Sequence, residues 1–238
     1  MTRVLRTVWQ DEWLVELGAT NWIGWSDLRR VAAELRLRQG DTLVDLACGS
    51  GGVGLWVAQQ GGSSLIGVDN SPAGCAAARQ RAQRTHLEAS AQFIEGDMAQ
   101  TTLMPASADA LMSIDALQIT PRRAEVCVEI ARLLRPGGRV AVTTWDHPGA
   151  VTPEELMPNR EVVPDTRPLL EAAGIRVLRY EQLESRHRYA LLAYRAILAD
   201  RDSVAAVVGP WLVAEAEWGV AHGARSRHVL IVGERVVG

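Results

Sequence analysis

Between Thr42 and Trp145, short apolar runs alternate with longer segments of helical spacing. Leu43-Val44, Leu65-Ile66, Phe93-Ile94, Ala110-Leu111-Met112 and Val140-Ala141-Val142 sit inside runs that predict strands near 42–47, 64–68, 91–95, 108–114 and 138–145. The segments between them predict helices near 52–60, 72–85 and 121–134. Ser71-Pro72 and Thr120-Pro121 read as helix starts with proline at the first position. Strand–helix alternation with short connections predicts an α/β fold, a doubly wound and mostly parallel sheet with helices on both faces. Ligands then bind at the carboxyl ends of the strands.

The flanks follow other patterns. In residues 1–39, Leu5, Trp9, Trp13 and Leu17 recur every fourth position, and Asp27 to Arg38 reads as a second helix ended by Gly40-Asp41. Trp9 and Trp13 are read as docking this helix on the core, while Trp22 and Trp25 flank a turn just ahead of the sheet. After the fifth strand, residues 150–164 carry Pro153, Pro158 and Pro164 and read as a loop over the pocket. A helix from Thr166 to Ala173 ends at Gly174, and strands follow at Ile175 to Tyr180 and Arg227 to Gly233. Residues 187–221 look helical, with Tyr189, Leu192, Ala196 and Ala199 on one face. That segment exceeds what a strand connection needs, so it is a candidate substrate cap, with Tyr189 a candidate contact. No linker or internal repeat divides residues 1–238, so one domain is expected: 1–39 an N-terminal helical lid, 40–146 the ligand-binding core, 147–238 the last strands and the cap.

Composition narrows the chemistry. All 25 basic residues are arginine. Without lysine a Walker P-loop, a Schiff base and a Tyr-x-x-x-Lys dehydrogenase site are excluded. The net charge of −3 gives no bias toward phosphate backbones, so no nucleic-acid partner is expected. Cys48, Cys75 and Cys127 lack C-x-x-C spacing, which argues against a metal and for a reducing, cytoplasmic setting. The N-terminus has no apolar signal core and no run is long enough to span a bilayer, so no membrane partner is expected.

The chain is organised around Asp45-Leu46-Ala47-Cys48-Gly49-Ser50-Gly51-Gly52-Val53-Gly54. An apolar strand ends on an acid, turns through glycines and enters a helix. Backbone N–H groups at such a helix start hold a small anionic group, and glycine permits both the turn and the close approach. Gly49, Gly51 and Gly54 fit G-x-G-x-x-G, which raises a dinucleotide site. Asp45 argues against it, because its charge would repel a pyrophosphate and attract an ammonium. S-adenosylmethionine offers that ammonium and a carboxylate for the loop. Asp69 closes the second strand, 20 residues after Gly49, where a carboxylate accepts both ribose hydroxyls. Asp97 closes the third, placed to accept from an adenine amino group.

These motifs, with Gly67-Val68-Asp69-Asn70-Ser71, Glu95-Gly96-Asp97-Met98 and Leu134-Arg135-Pro136-Gly137-Gly138, resemble in order and spacing those of class I S-adenosylmethionine-dependent methyltransferases, in the small-molecule branch of bacterial secondary metabolism. The resemblance covers about residues 25 to 145. It implies a Rossmann-like seven-stranded sheet with the last strand antiparallel. It also implies cofactor contacts at Asp45, Ala47, Gly49, Ser50, Gly51, Asp69, Asn70, Asp97, Met98, Ser113 and Gln118, with S-adenosylhomocysteine as product. Trp22 and Trp25 fall where the family places a lid that lines the substrate pocket.

The loop after the fourth strand, Ser113-Ile114-Asp115-Ala116-Leu117-Gln118-Ile119-Thr120, lacks the Asn/Asp-Pro-Pro-aromatic motif of nucleic-acid amino methylation. The expected partner is therefore a small organic molecule. His147, at the end of the fifth strand, and then Asp115 are the candidates for a general base if one is needed. A cyclisation or rearrangement on the same fold, a nicotinamide dehydrogenase and a non-enzymatic carrier stay open. So do the acceptor, the methylated atom and the oligomeric state, a homodimer among the options.

Overall fold

The computed structural model describes residues 14–18, 21–149, 161–207 and 209–237. The stripe residues Leu5, Trp9 and Trp13, and the loop carrying Pro153 and Pro158, lie outside the described residues.

Seven strands form one sheet: β1 Thr42–Leu46, β2 Ser64–Asp69, β3 Ala91–Glu95, β4 Ala108–Ile114, β5 Leu134–Asp146, β6 Ile175–Gln182 and β7 Arg227–Arg235. Their order is β3-β2-β1-β4-β5-β7-β6. The first five pair parallel, and β7 runs antiparallel to both β5 and β6. The helices are α1 Trp25–Leu35, α2 Gly52–Gly61, α3 Pro72–Arg84, α4 Arg123–Leu133, α5 Arg167–Ala172, α6 Glu184–Ala199, α7 Arg201–Val207 and α8 Pro210–His222. α6, α7 and α8 make up the insertion between the last two strands.

Alternation along each central strand splits the core into two layers. Leu43, Met112, Ala141 and Leu230 face α1, α2 and α3. Val44, Leu111, Val142 and Ile231 face α4 and α5. Both faces of the parallel half are covered, which is why its strands read as apolar runs rather than alternating ones. A third cluster lies over the carboxyl end of β5, where Trp145 meets Ala190, Tyr194, Ile197 and Ala216 of the insertion.

Local signals explain most boundaries. Ser71 caps α3, its hydroxyl accepting from the Gly74 N–H at 3.1 Å with Pro72 at the first position. Several boundaries differ from expectation: α1 runs Trp25–Leu35 rather than Asp27 to Arg38, β6 and β7 run past Tyr180 and Gly233 to Gln182 and Arg235, and two further shifts have clear local causes. α4 starts at Arg123 rather than Pro121, because a 3-10 turn at Leu117–Ile119 and an extended Thr120 precede it. β5 starts at Leu134, before Pro136-Gly137-Gly138: Leu134 pairs with Ala108 and Arg139 with Ala110. The intervening residues bulge out, as proline without an N–H and Gly137 at φ +78° dictate.

Candidate functional site

A cavity of about 660 Å³ opens at the carboxyl ends of β1, β2, β3 and β4. Its floor is the loop from β1 into α2. Ala47 and Gly51 hold φ of +61° and +73°, and Gly51 N–H closes the turn on the Cys48 carbonyl at 2.9 Å. A Cβ on Gly51 would lie 2.7–2.9 Å from Ala78 and Phe93, so the helix start packs directly on α3 and β3. A Cβ on Gly52 would lie 1.8 Å from the Leu17 carbonyl, where the N-terminal 3-10 turn Val15–Leu17 crosses the loop. That crossing is fixed from both sides. Ser50 donates to the Gly18 carbonyl at 3.2 Å, and Arg81 donates to the Ser50 and Glu16 carbonyls at 3.3 and 3.0 Å.

Four carboxylates line the cavity, three of them at the ends of β1, β2 and β3. Asp69 is held by two backbone donors, Gly49 N–H at 2.7 Å and Ser71 N–H at 2.9 Å, one on each oxygen. A carboxylate has about four lone-pair sites, so each oxygen retains capacity for a hydroxyl. Asp45 is 2% exposed. Burial, with the nearby Asp69 charge, pushes its carboxyl well above the usual carboxylate range. Asp97 accepts from Ala99 N–H at 2.8 Å and from Arg122 at 2.5 Å. Arg122 itself lines the cavity and also pairs with Glu125.

On the far side of the cavity, Asp115 closes β4 in the left-handed region at φ +53°. It accepts from Thr143 Oγ1 at 2.8 Å, from His228 Nε2 at 2.7 Å and from the Trp22 N–H at 2.5 Å. Burial alone would raise its pKa. His228, Trp22 and Thr143 together hold it below the usual range. His228, the second residue of β7, is fully buried and stacks on Trp145 with centroids 4.7 Å apart and planes 13° apart.

The expected site residues fall into three groups. Asp45, Ala47, Gly49, Ser50, Asp69, Asn70, Asp97, Met98 and Asp115 line the cavity. Gly51, Ser113 and Gln118 lie behind it. Ser113 donates to the Leu46 carbonyl at 2.9 Å, bracing β4 on β1, and Gln118 donates to the Asp115 carbonyl at 2.7 Å. His147, Trp22, Trp25 and Tyr189 lie elsewhere. His147 is 2% exposed, with Nδ1 2.9 Å from Ser226 Oγ and its ring edge-on to Trp218. Trp22 packs edge-on to Tyr194 at 4.8 Å, in the cap cluster. Trp25 packs against Trp56 at 5.5 Å, on the α1–α2 side of the core. Tyr189 is half-buried on α6 and lines neither this cavity nor the small one of about 20 Å³ under the cap. Sequence reasoning missed Asn21, Ile119, Arg122 and His228. The only signal for His228 is a polar residue heading the apolar run Val229 to Val232.

Among the described residues, no group of three or more His, Cys, Asp or Glu side chains could hold a metal ion. Among them too, no helix is long and apolar enough to cross a membrane.

Sheet order, acid-tipped strands and glycine loop meet at one cavity, in a chain whose central part is similar to a known family. Residues 44–142 match the family model described as "Methyltransferase domain". The sterol 24-C-methyltransferase of Pneumocystis carinii is 30% identical over 115 residues, covering 48% of this chain and 30% of that protein. The 27-O-demethylrifamycin SV methyltransferase of Amycolatopsis mediterranei is 32% identical over 113 residues, covering 48% of this chain and 42% of that protein. The chain thus spans less than half the length of either relative. Among solved structures, the [4+2]-cyclase SpnF superposes with a TM-score of 0.79 at 23% identity, covering 100% of this chain and 93% of that one. A putative sarcosine dimethylglycine methyltransferase from Galdieria sulphuraria gives 0.77 at 18%, covering 99% and 96%. At these identities the likeness is one of fold.

Proposed function

We propose that this protein transfers a methyl group from S-adenosylmethionine to a small organic molecule, releasing S-adenosylhomocysteine. The observation that carries the proposal is the convergence of Asp45, Asp69 and Asp97 with the β1–α2 loop around one cavity. Asp69, pre-aimed by two backbone donors, suits the ribose hydroxyls. Asp97 suits the adenine amino group once it shares or releases Arg122. The loop suits the carboxylate, and Asp45 the ammonium, whose arrival would favour the ionised form that burial opposes.

The sulfonium makes the methyl electrophilic. The chain's own contribution is to exclude water and hold the acceptor in line with the C–S bond, and such positioning supplies a large share of a barrier reduction. Asp115 faces the same cavity but is ionised, hydrogen-bonded by three donors and held below the usual carboxylate range, which makes it a weak base. It is better suited to orienting a cationic or hydroxyl-bearing acceptor. His147 faces the cap instead of the cavity. These placements favour a reaction that leans on alignment more than on proton abstraction.

Incubation with S-adenosylmethionine labelled in the methyl group tests the reading, against extracts and panels of small hydroxylated, amino and olefinic molecules. Label in a small organic product supports methyl transfer. Cofactor binding with product formed and no label incorporated would instead favour a non-methylating reaction, such as a cyclisation.

A further inference from the structure

Asp115, His228 and Trp22 come from the end of β4, the start of β7 and the segment ahead of α1, and they meet at one carboxylate. His228 must donate to it through Nε2, because an ionised carboxylate only accepts. Its other ring nitrogen, Nδ1, is buried with no hydrogen-bond partner among the described residues. Leaving such an atom unpaired is costly. An apolar ring would stack on Trp145 without that cost, so stacking alone does not account for a histidine here. Asp115 is itself in an uncommon backbone conformation, fixed by its N–H on the Thr143 carbonyl at 2.9 Å. One oxygen takes His228 and Thr143, and the second is left for the Trp22 N–H.

The Trp22 segment connects two regions. Asn21 lines the large cavity, while the Trp22 ring packs into the cap cluster against Tyr194. We propose that His228 is a positioning residue: through Asp115 it fixes residues 21–24 as the wall between the cofactor cavity and the helical cap. The acceptor side of the site is then shaped from β7, by a side chain that lines neither cavity. The geometry of the wall stands on these contacts alone; its role toward a cofactor rests on the function proposed above.

Amide hydrogen exchange on the full chain tests the proposal. His228→Phe keeps a ring to stack on Trp145 and removes the donor. The Trp22 amide should then exchange at least about 10-fold faster, the equivalent of losing one net hydrogen bond, while the amides of β1 and β2 keep their protection. His228→Gln, whose side-chain amide can donate to the same carboxylate, should restore slow exchange at Trp22; a merely structural role for the ring would not predict rescue by Gln and failure by Phe. Unchanged Trp22 exchange in folded His228→Phe overturns the proposal. If that variant does not fold, Asp115→Ala, which removes the acceptor itself, gives the same reading, and full Trp22 protection there overturns it equally. Failure of the wild-type chain to bind S-adenosylhomocysteine would remove the cofactor reading and leave the exchange result standing.

Discussion

One oxygen of Asp69 accepts the Gly49 N–H at 2.7 Å, so the acid at the end of β2 shapes the loop that follows β1. The same carboxylate thus orders the floor of the cavity and faces its contents. Asp69→Ala should weaken S-adenosylhomocysteine binding at least ~10-fold, since charge-assisted hydrogen bonds contribute about 1.5–3 kcal/mol each. Titration calorimetry checks this. Asp69→Asn should lose less, because an amide oxygen can still accept from Gly49.

Asp45 sets affinity against stability. Its folded-state pKa is raised, by burial first and by Asp69 second. The folded protein therefore holds a proton there that the unfolded chain releases, and stability falls as pH climbs from the ordinary carboxylate range to the raised value. Asp45→Asn removes this slope. The unliganded variant should melt higher than wild type at pH 7, match it in acid, and bind S-adenosylmethionine about 10-fold more weakly for loss of a charge-assisted contact. Melting curves across pH, with and without cofactor, check all three outcomes.

Gly51→Ala should destabilise the fold. The left-handed backbone at φ +73° costs an alanine roughly 1–2 kcal/mol, and the new Cβ would press on Ala78 and Phe93. With overpacking of about 1–3 kcal/mol added, the melting temperature should drop by at least about 4 °C.

Arg123 and Asp146 form an ion pair with no exposed surface on either side chain, and Asp146 also accepts from Thr166 and Tyr180. Asp146→Ala removes one partner of this buried pair and should cost about 3–5 kcal/mol, read by denaturant unfolding. Replacing both partners by apolar residues of similar volume should cost far less.

His147→Ala should act on stability. The ring is buried between Ser226 and Trp218, so its removal should cost about 1–3 kcal/mol. Affinity for S-adenosylhomocysteine should hold at temperatures where the variant is folded. A variant of wild-type stability with sharply reduced turnover would return His147 to the chemistry.

The acids at the ends of β1, β2 and β3 were legible because each closes an apolar run at the ligand-bearing edge of a parallel sheet. Local pattern decides both the strand and the direction in which it ends. Arg122 and His228 were not, because what matters about them is whom they meet. Arg122 reaches back 25 residues to Asp97, and His228 reaches 113 residues to Asp115. Such meetings follow from strand order, which a single chain does not print. His147 was correctly placed at a strand end, but the cap, packed against that end, turns its ring away from the cavity. Trp25 shows the same gap: its position ahead of the sheet suggested a lid, and its ring instead fills the space beside Trp56.

The insertion that carries the cap leaves β6 and re-enters at β7 beside residues that are already partners, Gln182 opposite Val229. Its two roots are therefore clamped by one antiparallel ladder, apart from the parallel strands that shape the cofactor cavity. A segment rooted in this way behaves as an interchangeable cassette. Exchanging it for a longer or shorter one changes the closure entropy by only about 0.6 kcal/mol per doubling of length. Under the proposed function, a new acceptor would be met by grafting between two fixed points, with the parallel strands around the large cavity left as they are.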